Sequence, residues 1–314
     1  MSGGSSPVFR TKNRQLSTRA IEILERERPM TLRQLFYRAI SAGALQNSQL
    51  EYKRLGSIMT RLREANNVPR TWIVDHVRAT LKPSSWSGLG DFGETVRDAY
   101  RKDFWSSLNH HVEVFVEKDA IAGTIQPVTK EYDIALRVCR GYASVSFAGE
   151  IADEWQRIEK PIFAYYLGDF DPSGFDLERD LREKLARYSG RCCVQSDIFD
   201  ENRSWAKLTT GVGYTVDSDS FCWGRLAVQH ADFDDHDLIP LAVKQKDCRA
   251  RAFIEKHGDE CAEVDALPPS ELRSRVRQAI ESHIDQERWK RLQETERLEK
   301  ETLDKVMKRW KKVI

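Results

Sequence analysis

The chain has 314 residues, of which 40% are hydrophobic and 32% are charged, a composition typical of a folded protein with room for two domains. No run approaches the roughly 20 apolar residues of a membrane helix, and residues 1–15 lack the apolar core of a secretory signal. The six cysteines form no CxxC pair and no zinc-type spacing, which favours a reduced, cytoplasmic protein without a zinc finger.

The net charge of +1 conceals an asymmetry along the chain. Residues 1–82 contain 15 Lys and Arg against 6 Asp and Glu, a net charge of +9, whereas the remainder contains 35 against 43, a net charge of −8. A basic first segment joined to an acidic body favours a polyanionic partner for the first segment. The alternative is a chance cluster of solvated side chains.

The first segment is predicted to hold three helices and a strand. Residues 1–15 are expected to form a flexible leader, and residues 16–28 an amphipathic helix that Pro29 ends. Thr31 followed three residues later by Gln34 predicts a capping box at the start of the second helix. Gly43 suits the end of this helix.

A third helix is predicted over residues 50–65, and the stretch "TWIVDHV" after it as a short strand. Helices followed by a turn and a strand are typical of a winged helix, so residues 16–82 are predicted to be a DNA-binding domain. Basic side chains of the third helix are the candidates for phosphate contacts: Lys53, Arg54, Arg61 and Arg63.

From residue 112 onward, predicted strands and helices alternate. Residues 83–111 begin with Pro, Ser and Gly and are expected to form a linker with a short helix. Residues 112–285 then predict an α/β domain with a small parallel sheet covered on both faces. The last segment, 286–314, is expected to be a long charged helix that packs against the protein rather than forming a coiled coil.

Acidic residues follow two of the predicted strands. Glu117 ends the first strand, and Asp169 and Asp171 end the third, with side chains about 6.5 Å apart on one side of an extended chain. Ligands bind beyond the carboxyl ends of parallel strands, so the three carboxylates are predicted to converge on a hard divalent cation. Taken singly, an Asp before Pro or Gly is more often a turn or N-cap residue.

These motifs resemble those of a known family. "VEVFVEKDAI", "RGYAS" and "YLGDFDPSGFDL" are similar to the Toprim domain of the DNA topoisomerase VI A-subunit family, which includes the meiotic double-strand-break proteins. The chain most resembles the small stand-alone A-like (Mini-A) proteins of bacterial mobile elements. The resemblance implies that Glu117, Asp169 and Asp171 hold Mg²⁺, which Mn²⁺ can replace, and that Lys118 lies near the scissile phosphate.

The segment "TLRQLFYRAI" supplies the tyrosine that the resemblance requires. Helix geometry places Tyr37 about 130° from the apolar stripe that contains Phe36, so Tyr37 is expected off the core. Arg33 lies four residues before Tyr37 and is therefore its neighbour on the helix. A guanidinium beside a phenol can stabilise a phenolate and bind a phosphate. An exposed tyrosine stacked on an arginine is the alternative interpretation.

We therefore expect an α/β protein with an N-terminal winged helix, a Toprim domain and a C-terminal helix. The expected reaction is cleavage of double-stranded DNA by Tyr37, with a 5′-phosphotyrosyl link and Arg33 stabilising the phosphate. The resemblance further implies a homodimer and a nucleoid-associated location, and it leaves room for a separate ATPase subunit, because this chain shows no nucleotide-binding motif. Two alternatives stay open: a hydrolytic Toprim nuclease, for example in defence, and a non-catalytic DNA-binding protein.

Overall fold

The computed structural model describes residues 7–73, 85–196, 218–226, 238–240 and 248–310. Its first part consists of three helices: α1 (Pro7–Glu27), α2 (Leu32–Ser41) and α3 (Gln49–Glu64). At the start of α2, Gln34 N donates to the Thr31 hydroxyl at 3.2 Å and the Gln34 side chain accepts from Thr31 N at 2.9 Å. Gly43, with a φ of 68°, follows the end of α2. The predicted capping box and the glycine stop are therefore both confirmed.

The first helix is longer than the sequence pattern indicated. It begins at Pro7 rather than near residue 16, so residues 7–15 are helical and are not a flexible leader. The cause lies partly in Asn13, whose side-chain oxygen accepts a hydrogen bond from Arg54 Nε at 2.8 Å. This contact fastens the early turns of α1 to α3.

The strand predicted after α3 is reduced to a single bridge in the described residues. Arg70–Trp72 form a 3-10 turn, and Ile73 then pairs with Met30 in one parallel bridge. The rest of the predicted strand lies outside the described residues. A compact apolar core nevertheless joins the three helices, centred on Leu24, Leu35, Phe36, Leu55 and Met59.

The second part contains the predicted parallel sheet. Its five strands are all parallel and lie in the order β2-β1-β3-β5-β4: β1 (His111–Val116), β2 (Ala135–Val138), β3 (Ile162–Leu167), β4 (Cys192–Ser196) and β5 (Ser220–Arg225). Each residue of β3 is buried, as are all but the first of β1. Burial on both faces explains why both strands read as continuous apolar runs.

Helices cover both faces of this sheet. Alternate residues of β1 and β3, such as Val114 and Tyr165, pack with α5 (Asp119–Glu131) and α9 (Pro269–Glu281). The residues between them, such as Phe115 and Tyr166, pack with α6 (Val145–Gln156) and α7 (Pro172–Ser189). The chain is therefore a mixed α/β protein with a three-layered second part.

The segment expected to be a linker is largely part of the fold. It contains α4 (Leu89–Ala99), and Phe104, Trp105 and Leu108 after it are buried in the α5 side of the α/β core. Trp105 Nε1 donates to the Tyr132 carbonyl at 2.6 Å. Aromatic residues after α4 therefore make this segment structural, which the Pro, Ser and Gly at its start concealed.

The C-terminal helix packs against the protein, as predicted. This helix, α10 (Gln286–Trp310), lies along α4, and Tyr100 donates to Glu299 at 2.6 Å while Arg97 pairs with Asp304 at 3.3 Å. Before it come β6 (Ile239–Pro240), α8 (Cys248–His257) and β7 (Glu260–Cys261). Across the stretches of chain that the structure describes, no helix combines the length and the apolar character needed to cross a bilayer.

Candidate functional site

The carboxyl ends of β1 and β3 bring two predicted carboxylates together. These strands are hydrogen-bonded neighbours, with Val116 opposite Leu167. Just beyond them, Asp169 N donates to Glu117 Oε2 at 2.9 Å, and both side chains are buried. Burial, followed by repulsion from Asp169, raises the pKa of Glu117 to about 7. The two carboxylates therefore lie side by side at the edge of the sheet where parallel α/β proteins bind ligands.

Two glycines permit this close approach. A Cβ atom at Gly168 would lie 2.7 Å from Glu117 Oε2 and 2.5 Å from a ring carbon of Tyr166. A Cβ atom at Gly174 would lie 2.5 Å from the carbonyl oxygen of Asp169. A side chain at either position would push the Glu117 and Asp169 region apart, so the glycines set its spacing.

Asp171 has a structural contact. Its Oδ1 accepts a hydrogen bond from Gly174 N at 2.6 Å, which makes Asp171 the N-cap of α7, with Pro172 in the first turn. The expectation that Asp171 is a turn or N-cap residue is therefore confirmed for one of its two oxygens. Asp171 still lies close enough to Glu117 for its charge to raise the pKa of Glu117.

Lys118 lies at the centre of a second group of carboxylates. Its Nζ is 2.7 Å from Asp169 Oδ2, 3.1 Å from Glu263 Oε2 and 3.4 Å from Asp265 Oδ2. Burial alone would lower the pKa of Lys118, but these three carboxylates raise it above its ordinary value. Lys118 is therefore a charged, partly buried ammonium held by oxygens from two segments of the chain.

Glu263 and Asp265 are functional candidates that the sequence analysis missed. An antiparallel bridge between Phe170 and Ala262 fastens their segment to the end of β3, and Val264 N donates to Asp169 Oδ1 at 3.0 Å. The Asp265 side chain is fully buried, and burial raises its pKa although Lys118 opposes this. The available signal was the spacing, because Glu263 and Asp265 repeat the two-residue separation of Asp169 and Asp171.

The helical part contributes Arg33 and Tyr37 to the same place. Arg33 forms an ion pair with Glu263, its Nε lies 3.9 Å from Asp265 Oδ2, and its charge lowers the pKa of the Tyr37 side chain in part. Arg33 from the helical part and Lys118 from the α/β part thus both bind the carboxylate of Glu263.

Tyr37 is buried, contrary to the expectation that it lies off the core. Only 9% of its surface is exposed, and it belongs to the α/β core cluster, while its ring also meets the Phe36 ring edge-on with 5.7 Å between the centroids. The helix geometry separated Tyr37 from the helical core cluster, but the α/β part covers that face. Burial, followed by the charge of Glu263, raises the pKa of Tyr37 to about 12, and Arg33 lowers it in part.

The four basic candidates of α3 divide into two pairs. Lys53 and Arg61 are exposed. Arg54 is bound to Asn13 and pairs with Glu51 at 3.0 Å, and Arg63 donates to the carbonyl of Ile73 at 3.4 Å. The first pair therefore faces solvent, whereas the second pair makes structural contacts within the helical part.

Carboxylates are suitable ligands for a hard cation, but the side chains at this edge of the sheet are not arranged as a metal site. Carboxylate oxygens are the ligands that Mg²⁺ and Mn²⁺ prefer. In the part of the chain that the structure describes, however, no three His, Cys, Asp or Glu side chains are placed to share one metal ion. One oxygen of each of the three predicted ligands already accepts a hydrogen bond from a backbone N–H: Glu117, Asp169 and Asp171. A metal would thus have to draw these side chains closer together.

The chain was compared with protein-family models and with curated protein sequences. No protein-family model matches it, and no curated protein sequence is significantly similar to it.

Proposed function

We propose that the chain cleaves double-stranded DNA through a covalent tyrosine intermediate, with a winged helix and a Toprim domain as its two parts. The observation that carries this proposal is the shared carboxylate of Glu263, which joins Arg33 beside Tyr37 to Lys118 beside Asp169. Buried ionisable groups with shifted pKa values at the ligand-binding edge of a parallel sheet are typical of a catalytic site. The basic first segment supplies the charge that DNA binding requires.

In the proposed reaction, Tyr37 Oη forms a bond to the phosphorus and the bond from phosphorus to the 3′ oxygen breaks. The 5′ phosphate stays on Tyr37, whose phenolic proton passes to water, and the 3′ oxygen leaves with a proton taken from water or an acid of the site. Arg33 and Lys118 are the cations placed to bind the phosphate oxygens. Glu117, Asp169 and Asp171 are proposed to hold Mg²⁺, which when bound supplies positive charge to the developing oxyanions.

Because the pKa of Tyr37 is raised, this mechanism needs a nearby positive charge that helps the phenol to ionise. A phenol with a pKa of about 12 is costly to ionise at pH 7, by about 7 kcal/mol. Arg33 lowers the pKa of Tyr37 in part while it is paired with Glu263, and it would lower the pKa further without that partner. DNA binding is therefore proposed to release Arg33 from Glu263 as the phosphate arrives.

The burial of Tyr37 favours a second candidate, a metal-dependent hydrolytic nuclease. A side chain with 9% exposure is poorly accessible to DNA, and water attacking the phosphate would not need it. In that case Tyr37 and Arg33 join the two halves of the protein, and the carboxylates alone serve the reaction.

One experiment separates the two candidates. Supercoiled plasmid is incubated with the protein and Mg²⁺ or Mn²⁺, the reaction is stopped with detergent, and DNA ends are tested for covalently bound protein. We expect adducts with the parent and with Tyr52→Phe, a control from the same helical part, and neither adducts nor breaks with Tyr37→Phe. Cleavage by Tyr37→Phe without adducts from any variant would identify the hydrolytic nuclease instead.

A further inference from the structure

Helix α2 is docked on the α/β part with its Tyr37 face inward. Tyr37 is buried and belongs to the α/β core cluster. Gln34, one turn earlier on α2, is fully buried and accepts a hydrogen bond from Thr124 of α5 at 2.9 Å. This junction between α2 and α5 leaves DNA little access to the Tyr37 hydroxyl, so the junction has to open before Tyr37 can contact a phosphate.

One carboxylate at the edge of the junction binds both parts of the protein. Glu263 forms an ion pair with Arg33 of α2, and its Oε2 lies 3.1 Å from Lys118 Nζ. Asp265 is a more distant partner of Arg33, at 3.9 Å. The bridge between Phe170 and Ala262 fastens the Glu263 segment to the end of β3. The ion pairs of Glu263 with Arg33 and Lys118, referred to below as the Glu263 latch, therefore connect α2 to the sheet.

The Glu263 latch is accessible to a competing anion. The side chains of Arg33 and Glu263 are 46% and 28% exposed. Ion pairs that solvent reaches are weak and are screened by salt. A guanidinium binds phosphate oxygens in the same geometry as carboxylate oxygens. A phosphate can therefore replace Glu263 as the partner of Arg33, while Glu263 keeps its contact with Lys118.

The closed junction leaves one buried polar group unsatisfied. The side-chain oxygen of Gln34 accepts hydrogen bonds from Thr31 N and from the Thr124 hydroxyl. Its Nε2 is buried and has no hydrogen-bond partner among the described residues. A buried donor without a partner costs free energy, and opening the junction would expose this donor to water. This cost opposes the docking of α2 and narrows the balance between closed and open forms.

We propose that the docking of α2 is autoinhibitory: the Glu263 latch keeps the junction between α2 and α5 closed, and duplex DNA opens it by supplying a backbone phosphate to Arg33. The choice of DNA as the source of the phosphate rests on the proposed function. The latch itself does not, because it acts in the protein without DNA and is measured there.

The test measures how fast a thiol placed in the junction reacts with iodoacetamide in the full-length protein. Thr124→Cys supplies this thiol, and mass spectrometry of the labelled peptides separates it from the natural cysteines. We expect Glu263→Gln to raise its reaction rate about threefold, the effect of losing one partly exposed ion pair. Glu271→Gln is the matched control, since the ion pair of Glu271 with Arg275 lies within α9, and it should leave the rate unchanged. Duplex DNA should raise the rate in the protein that carries Glu263.

The buried Cys222 of β5 is the internal reference, because global unfolding would make both thiols react faster. An unchanged rate in Glu263→Gln would overturn the latch, and an unchanged rate with DNA would overturn its release by DNA. Inorganic phosphate at the same phosphate concentration should have no effect, and an effect equal to that of DNA would overturn DNA as the source of the phosphate.

A second measurement covers the case in which Thr124→Cys does not fold. Nitration of Tyr37 by tetranitromethane, located by mass spectrometry, reports access to the same junction without a new cysteine. We expect Tyr37 to be nitrated faster in Glu263→Gln than in Glu271→Gln, and equal rates would overturn the latch. A junction that opens with DNA while no covalent adduct forms would overturn the proposed function alone.

Discussion

At the scale of single residues, Gly174 and Gly168 fix how closely the strand ends and α7 can approach. The Asp169 carbonyl occupies the space that a side chain at position 174 would need, at 2.5 Å from a Cβ atom. Backbone atoms of a packed segment yield less readily than the end of a flexible side chain. The two glycines therefore matter for spacing, although their φ angles do not require glycine.

We predict that Gly174→Ala lowers the free energy of unfolding by about 1–3 kcal/mol, because the added methyl group forces α7 away from Asp169. Gly149→Ala is the matched control, since a Cβ atom there meets nothing within 4 Å and alanine is the better helix former. Urea titration of both variants gives the comparison. A Gly174→Ala protein as stable as the parent would mean that the segment moves aside without cost.

Two substitutions of Asp171 can separate its role as the N-cap of α7 from its proposed role as a metal ligand. Asparagine is as good an N-cap as aspartate, so Asp171→Asn should keep its bond to Gly174 and its stability, whereas Asp171→Ala should lose about 1 kcal/mol. Both should lose metal-dependent DNA cleavage under the proposed function. Chemical denaturation together with a plasmid-nicking assay measures the two effects. Nicking by Asp171→Asn at the parent rate would remove Asp171 from the metal ligands.

At the scale of elements, the exposed side of α3 is where DNA affinity is expected. Replacing Lys53 and Arg61 together by Ala should weaken DNA binding and lower the slope of log affinity against log salt by about two, roughly one for each phosphate contact. Replacing Arg54 and Arg63 by Ala should instead mainly lower the free energy of unfolding, because both side chains form hydrogen bonds within the helical part. Fluorescence anisotropy at several salt concentrations provides the slope. An unchanged slope for the first pair would place the DNA path on another surface.

The sequence predicted elements well where the signal is local. The capping box of Thr31 and Gln34, and the apolar runs of β1 and β3, depend on neighbours in sequence, and the structure has them as expected. Glu263 and Asp265 reach the candidate site because Phe170 pairs with Ala262. These two residues are far apart in sequence, so no local pattern predicts their pairing. The periodicity of α2 located the face that carries Tyr37 but could not show that the α/β part covers it.

At the scale of the whole molecule, the two halves share buried contacts as well as charges. Thr124 of α5 donates to Gln34 of α2 at 2.9 Å in a fully buried position. Tyr37 adds its ring to the α/β core. Contacts of this kind couple the stability of the halves, so a change at their junction is expected to affect both.

The buried His283 predicts how the stability of the whole protein depends on pH. Its Nε2 is hydrogen-bonded to the Tyr165 hydroxyl at 2.5 Å, and burial, followed by the charge of the adjacent His110, lowers its pKa to about 3. The unfolded chain binds a proton near pH 6.5, but the folded chain does not, so this contribution is complete above pH 6.5 and falls toward pH 3. The slope is at most about 1.4 kcal/mol per pH unit.

The variant His283→Asn should therefore show a flatter loss of stability between pH 6.5 and pH 4 than the parent, whatever its stability at neutral pH. Thermal or urea unfolding at several pH values gives both slopes. Parallel curves for parent and variant would show that other groups carry the acid sensitivity.

The ion pair between Arg33 and Glu263 joins residues that are 230 positions apart. Ribosomes release a chain from its N-terminus, and a nascent domain folds as it emerges. Helix α2, which carries Arg33 and Tyr37, is therefore synthesised long before the segment that supplies Glu263 as the partner of Arg33. A nascent chain that ends between Lys118 and Ala262 would contain Tyr37 and Lys118 but lack Glu263 and Asp265, so the site stays incomplete until the 262–265 segment has been synthesised.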